Sequence, residues 1–440
     1  MIGIGHFRNF NLESWLIMKN STLLPLAMAL ALSFGCTSAS FAEAVTGSVK
    51  SVTNTSRSVA LEVANKGVLV FKFDAATQFK NASSANDIVA DEVLTVDYSR
   101  VGAENLAKTI TKVIAPLPAG VTRIAVAELL QLVKKGGESF VLIDSRPVGR
   151  YIQGHLPGAV SVPFNELEKE GEKLLPTDRA KTLVFYCGGL SCMLSPKSAT
   201  IAVKLGFKDV RMYPEGEPGW KKMDYVTESS VSFIKSGNIV LLDLRPAEKA
   251  ASGYIPRAVN IPAADLRNAE KQFPEFHGAV IVFYSDKDEE ANEALEWTRE
   301  WEYTNATVFP GGAKAWLAAG NQLVTGAAPT KISYVRKLAE GEVSIKDFDE
   351  AVKVKSHLVI DVRTAEEFAK GHIAGALNIP AEEMANRSSE IPAGKPVLFH
   401  CSSGTRAELA FDVLKEKGIK VRYLRANVEF GPGDKFTMKE

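Results

Sequence analysis

Thiols are scarce in this chain of 440 residues, which has four cysteines. One of them, Cys36, falls in a leader-like stretch, which leaves Cys187, Cys192 and Cys401. An odd number excludes a closed disulfide framework, so at least one thiol is free, paired between chains or chemically employed. Histidine is also sparse, and none neighbours Cys187 and Cys192, so no structural zinc site is expected there, and no metal or cofactor is expected elsewhere. Net charge is absent: Lys plus Arg and Asp plus Glu each number 52. No field therefore draws the chain to nucleic acid or anionic lipid, and nucleic-acid partners are set aside. The N-terminal apolar stretch, residues 23–34, is too short for a permanent membrane helix.

That stretch has another reading. "MKNSTLLPLAMALALSFGCTSASFA" places a basic start at Lys19, an apolar run and a small-residue exit ending at Ala42, which together predict a secretory signal over residues 1–42, with Met18 as the true start. Gly35 before Cys36 raises a second route, lipidation of Cys36, which Ser33 and Phe34 fit poorly; only on that route is a membrane a partner. Either way the mature chain is expected in the periplasm or outside the cell. Unpaired thiols are oxidised there unless protected or used.

An internal repeat organises the remainder. "VLIDSRPVGRYIQGHLPGAVSVP" (141–163), "VLLDLRPAEKAASGYIPRAVNIP" (240–262) and "LVIDVRTAEEFAKGHIAGALNIP" (358–380) align without a gap. Asp144, Asp243 and Asp361 each stand two places before an Arg (Arg146, Arg245, Arg363), and Pro163, Pro262 and Pro380 each follow their Asp by 19 residues. In every unit a helix-period stretch precedes the strand ending in Asp-x-Arg, and a second apolar strand ("TLVFYC", "VIVFYS", "VLFHC") precedes another helix. Strands alternating with helices predict parallel α/β units, whose ligands lie at the carboxyl ends of the strands. Cys187, Ser285 and Cys401 occupy those ends. The predicted division is 43–118, 119–225, 226–328 and 329–440. The first segment differs: "SVALEV", "GVLVFKF" and "VLTVDYS" are short alternating runs, read as a small all-β module, a barrel in outline, that serves as spacer or docking domain.

A cysteine at a strand end, followed by a glycine-containing loop and a helix, faces inward amides and the positive helix end, both of which favour thiolate. The three units resemble rhodanese homology domains: Asp-x-Arg, then Gly-His-Ile/Leu-x-Gly-Ala with a downstream Pro, then a cysteine loop after an apolar strand. The resemblance spans about residues 120–440. It implies doubly wound parallel-sheet α/β domains whose cysteine takes sulfane sulfur as a persulfide from a small sulfur-containing donor such as thiosulfate. The sulfur then passes to cyanide, a thiol or a protein acceptor.

In "CSSGTR" the resemblance makes Cys401 the nucleophile, the amides of Ser402, Ser403, Gly404 and Thr405 the substrate cradle, and Arg406 a fixed charge for an anionic donor; the alternative for Arg406 is a solvated first-turn residue. Four residues separate Cys401 from Arg406, one fewer than the Cys-x5-Arg of phosphatases, so the ring suits sulfur. This unit ends in "RANVEFGPGDKF" in place of the "FPGGAKAW" closure of the second unit. The first unit carries "CGGLSC", with Cys187 as nucleophile and Gly188, Gly189, Leu190 and Ser191 as the substrate loop. Judged by Gly206 against Gly418, this loop is two residues longer than the third. Cys192 is either a resolving thiol that attacks a persulfide on Cys187, which calls for a redox partner, or half of a static disulfide, or a packed side chain. The second unit has Ser285, acidic neighbours and no sulfur, and is read as structural. His155 and His372 are read as structural, and Asp144 and Asp361 as anchors for backbone or for Arg146 and Arg363. The expectation is an extracytoplasmic sulfurtransferase; the alternatives are a binding scaffold with thiols oxidised in place and a dithiol exchanger built on Cys187 and Cys192.

Overall fold

The computed structural model describes residues 43–54, 56–90, 92–102, 104–136, 139–431 and 435–439. The expected leader, with Met18 and Cys36, lies outside the described residues.

The N-terminal module is a barrel. Its strands are β1 (Glu43–Thr53), β2 (Ser58–Val63), β3 (Gly67–Lys72), β4 (Gln78–Lys80), β5 (Val93–Val101) and β6 (Glu104–Lys112). They lie in the order β3-β2-β1-β5-β6-β4, and a short parallel pairing of Phe71 and Lys72 with Asn105 and Leu106 closes β3 onto β6. Closure removes the two long edges that alternating strands would expose. Val59, Leu61, Phe71, Leu94, Val96 and Ile110 point inward and are fully buried, each contributing ~1.5–3 kcal/mol relative to exposure.

Three parallel sheets follow. The first comprises β7 (Thr122–Arg123), β8 (Phe140–Asp144), β9 (Val160–Ser161), β10 (Thr182–Tyr186) and β11 (Val210–Tyr213), in the order β7-β11-β10-β8-β9. The second has β12 (Ile239–Asp243), β13 (Val259–Asn260), β14 (Val280–Tyr284) and β15 (Ala306–Val308), in the order β13-β12-β14-β15. In the third, β16 (Glu342–Val343), β17 (Leu358–Asp361), β18 (Leu377–Asn378), β19 (Val397–His400) and β20 (Arg422–Leu424) run β16-β20-β19-β17-β18. The apolar runs are continuous because both faces are covered. In the first unit, Leu183 and Phe185 pack with Ala199 and Ala202 of the helix Leu194–Lys204, while Val184 and Tyr186 face Leu129 and Trp220 on the other side. The architecture is therefore the predicted one, α/β with three tandem doubly wound parallel-sheet domains behind a small all-β domain.

The third unit ends differently from the first two. The stretch that replaces the Gly-Gly-Trp closure forms a hairpin, β21 (Asn427–Phe430) with β22 (Phe436–Lys439). Its Phe430 stacks over the Arg363 guanidinium, 4.1 Å from ring centre to Cζ.

Candidate sulfur site

Each central strand pair ends in the same anchor. Asp144 accepts from Arg146 Nε at 3.0 Å and Nη2 at 2.7 Å, and Arg146 Nη2 also donates to the Gly154 carbonyl at 2.7 Å. Arg245 with Asp243 and Gly253, and Arg363 with Asp361 and Gly371, repeat this pattern. All three aspartates are fully buried, so the pairing is what makes a charged strand end tolerable there. The tyrosine before the loop adds a third tie: Tyr186 donates to Asp144 and Tyr284 to Asp243, both at 2.8 Å. His400 holds that place in the third unit. Its Nε2 lies 3.6 Å from Asp361 Oδ2, neither ring nitrogen has a hydrogen-bond partner among the described residues, and burial pulls its pKa from 6.5 to about 4 although Asp361 opposes the change.

His155 and His372 face away from acid–base work. Each ring nitrogen Nδ1 meets the carbonyl four residues back, Tyr151 at 2.8 Å and Phe368 at 3.0 Å, and each ring stacks at 3.9 Å on that residue's ring. These contacts fix the Gly-His turns.

The third loop follows β19. Cys401 is a free thiol, 0% exposed. Gly404, at φ +91°, opens the helix Thr405–Glu416 and donates its N–H to Cys401 Sγ at 3.1 Å. A side chain at 404 would place Cβ 2.5 Å from Arg425 Cα, so glycine is required for that amide to reach sulfur. An N–H aimed at sulfur at a helix start supports negative charge on it, whether on the thiolate or on the outer atom of an adduct. Two other groups of the loop have structural partners. The Ser402 carbonyl accepts from Val428 N–H of the hairpin, and Ser403 Oγ lies 3.2 Å from Thr53 Oγ1 at the end of β1.

Arg406 differs from the expectation of a charge held open for a donor. It is buried, and its guanidinium meets both oxygens of Glu367 at 2.6 and 3.0 Å and Ser402 Oγ at 3.1 Å. Glu367 is the third helical residue after its Thr364 cap and completes a capping box with it. Burial alone would raise the Glu367 pKa. The hydrogen bonds and charge of Arg406, then Lys72, then the Thr364 N–H outweigh that and hold it at about 2. The sequence reading missed Glu367, whose signal was the Thr-x-x-Glu spacing; the reading also missed Lys72, which lies 3.3 Å from Glu367 across the contact with the barrel.

The first loop has a different chemistry. Cys187, at the end of β10, is joined to Cys192 by a disulfide, and its Sγ sits 3.1 Å from Ser195 Oγ. Six residues separate Cys187 from the helix start at Leu194, against three between Cys401 and Thr405. The extra length docks on the barrel: Ser191 donates to the Val113 carbonyl at 2.7 Å, and the Leu190 carbonyl accepts from Ala115 N–H at 2.7 Å. The Ser191 hydroxyl and the Leu190 carbonyl are thus spent on the barrel. Gly188 is exposed, and Gly189 adopts φ +116°. Behind the loop, Gly216 stands so close to the Cys187 carbonyl that no Cβ fits. Leu190 and Glu215 also line a cleft of about 1240 Å³ between the barrel and the first and second units, together with Lys112, Lys222 and Tyr303.

The second loop carries no sulfur. Ser285 donates to Glu290 at 2.5 Å, and Asp286 pairs with Lys249 at 3.0 Å. Among the described residues, no group of three or more His, Cys, Asp or Glu could hold a metal.

Comparison with known proteins bears on these loops. The rhodanese-like domain family matches residues 125–223, 230–319 and 344–428. The chain is 31% identical over 98 residues to the human thiosulfate:glutathione sulfurtransferase, covering 20% of this chain and 85% of that protein. It is 35% identical over 80 residues to the putative sulfur carrier protein YrkF of Bacillus subtilis, 18% of this chain and 43% of that one. A crystal structure of thiosulfate sulfurtransferase from Pseudomonas aeruginosa aligns with 69% of this chain and 64% of its own, at 19% identity and a TM-score of 0.25. The chain spans about half the length of several curated relatives it matches, 43% for YrkF. The family match and the sulfurtransferase relative support a sulfurtransferase-type role. Because the three matched segments cover most of the chain and each holds the same Asp–Arg anchor beneath its loop, the chain belongs to the rhodanese-like domain family.

Proposed function

We propose that this protein is an extracytoplasmic sulfurtransferase that carries sulfane sulfur as a persulfide on Cys401. The observation that carries the reading is the free Cys401 sulfur with the Gly404 N–H 3.1 Å away. In the forward step the Cys401 thiolate attacks the outer sulfur of a donor such as thiosulfate. The new S–S bond forms as the donor's S–S bond breaks, and sulfite leaves with the electron pair. In the second step an acceptor thiolate or cyanide takes the outer sulfur, and the Cys401 thiolate departs. The name of the human relative, which pairs thiosulfate with glutathione, supports a donor and acceptor of this kind. The extracytoplasmic setting rests on the leader pattern of residues 1–42.

The Cys187–Cys192 disulfide favours a second activity at the first loop, dithiol exchange. A persulfide on Cys187 attacked by the Cys192 thiolate yields this disulfide and releases sulfide. The two thiols supply the electrons, and an external dithiol restores them. Ser285 leaves the second unit a structural part. The test is steady-state conversion of donor and acceptor by wild type, Cys401→Ala and Cys187→Ala. The proposal expects Cys401→Ala to abolish cyanide-dependent turnover, and undiminished turnover in that variant would refute it.

A further inference from the structure

The barrel, expected to be a spacer or docking domain, touches the loop that carries Cys401. Thr53 at the end of β1 meets Ser403, and Lys72 at the end of β3 lies 3.3 Å from Glu367. Lys72 and Glu367 are both largely shielded, with 16% and 17% of their side chains exposed, so their interaction is only partly screened by solvent. Each of three guanidiniums near the Cys401 loop has a carboxylate beside it. Arg363 is paired with Asp361, Arg425 lies 3.8 Å from Glu408, and Arg406 is forked onto Glu367. Lys72 shares Glu367 with Arg406 and adds a second cation to that pair. The barrel thus places a cation, Lys72, beside the Arg406–Glu367 pair. Glu367 stays ionised across the working pH range, so its charge does not change there.

We infer that the barrel completes the Cys401 site and that Lys72 sets its preference for an anionic sulfur donor. The inference rests on the reading of Cys401 as a sulfur carrier. Lys72 acts through Glu367, so it is a positioning residue. Without it, the surroundings of Glu367 lose one positive charge, and the loop loses part of its attraction for a dianion while keeping its shape. Fields focused in a partly shielded site change encounter rates by tenfold or more.

The test uses two alkylating probes of nearly the same size, one anionic and one neutral, iodoacetate and iodoacetamide. They are applied to full-length protein with Cys187→Ser and Cys192→Ser, and labelling is read at the Cys401 peptide. Lys72→Ala is expected to lower the ratio of iodoacetate to iodoacetamide rates about fivefold at low ionic strength. Lys72→Arg should restore it, and high salt should erase the difference. An unchanged ratio, or equal slowing with both probes, would overturn the inference, since either leaves Lys72 a packing residue. Wild-type Cys401 refusing both probes would also overturn it, because a loop closed to small reagents presents no charge to a donor. Sulfur gain on Cys401 in the same samples reports on the carrier reading alone, so the two ideas fail separately.

Discussion

Replacing Glu367 with glutamine removes the carboxylate that balances the buried Arg406 while keeping size and one acceptor oxygen. The size of the effect follows from the ionisation of Glu367. A carboxyl held at about 2 instead of 4.5 has its ionised form favoured in the folded state, by about 3 kcal/mol at 1.36 kcal/mol per unit. Breaking a buried pair by deleting one partner costs ~3–5 kcal/mol in general, so the two routes agree. Because the folded-state value lies below the unfolded one, this stability is present in full above pH 4.5 and is lost as pH falls toward 2. Glu367→Gln should therefore lower the stability of the third unit by about 3 kcal/mol at pH 7, and the gap to wild type should close at acid pH. The third unit contains no tryptophan, so tryptophan fluorescence would miss the change. Hydrogen exchange on peptides from the helix Thr405–Glu416 against denaturant reads it directly. A double variant with Arg406→Met should recover part of the loss, since the uncompensated charge goes too. A Glu367→Gln protein within ~0.5 kcal/mol of wild type, the scale of an ordinary surface substitution, or a gap that persists at acid pH, would refute the reasoning.

Two further outcomes follow from the same loop. His400→Tyr should supply the hydroxyl that Tyr186 and Tyr284 give their aspartates, adding about 1 kcal/mol at pH 7 in denaturant unfolding. Wild type, with His400 at about 4 when folded and 6.5 when unfolded, binds its proton first in the unfolded state, so it should lose stability as pH falls from 6.5 to 4; the tyrosine variant should lack that loss. Gly404→Ala forces a side chain into a φ of +91° against Arg425, at ~1–3 kcal/mol of strain, and should pull the amide off Cys401. Sulfur loading of Cys401 should fall more than the stability of the unit does, and equal loading in the alanine variant would remove the amide from the account.

The repeated architecture was legible because each anchor is local. Asp-x-Arg places both partners at one strand end, and the carbonyl at Gly154, Gly253 or Gly371 lies eight residues on. Continuous apolar strands likewise announce a sheet covered on both faces. What stayed hidden depends on long-range contact. Glu367 reads as a helix cap in "TAEEF", and only the packing of its helix beside the loop gives it Arg406 as a partner. Lys72 is a charged residue at the end of a barrel strand, and no spacing links it to a carboxylate almost three hundred residues later. Ser191 was read as part of a substrate loop, whereas its hydroxyl bonds the Val113 carbonyl of the barrel, across a contact no motif encodes. The hairpin of residues 427–439 was visible only as the loss of a Gly-Gly-Trp closure.

The most direct test of sulfur carriage is intact-protein mass spectrometry of the reduced, full-length chain before and after thiosulfate and a second sulfane donor, with Cys401→Ala and Cys187→Ala beside wild type. The account predicts a gain of one sulfur atom that survives Cys187→Ala, disappears with Cys401→Ala for the third site, and reverses on addition of cyanide. No gain from either donor, or a gain that Cys401→Ala leaves intact at every cysteine-containing peptide, would contradict it.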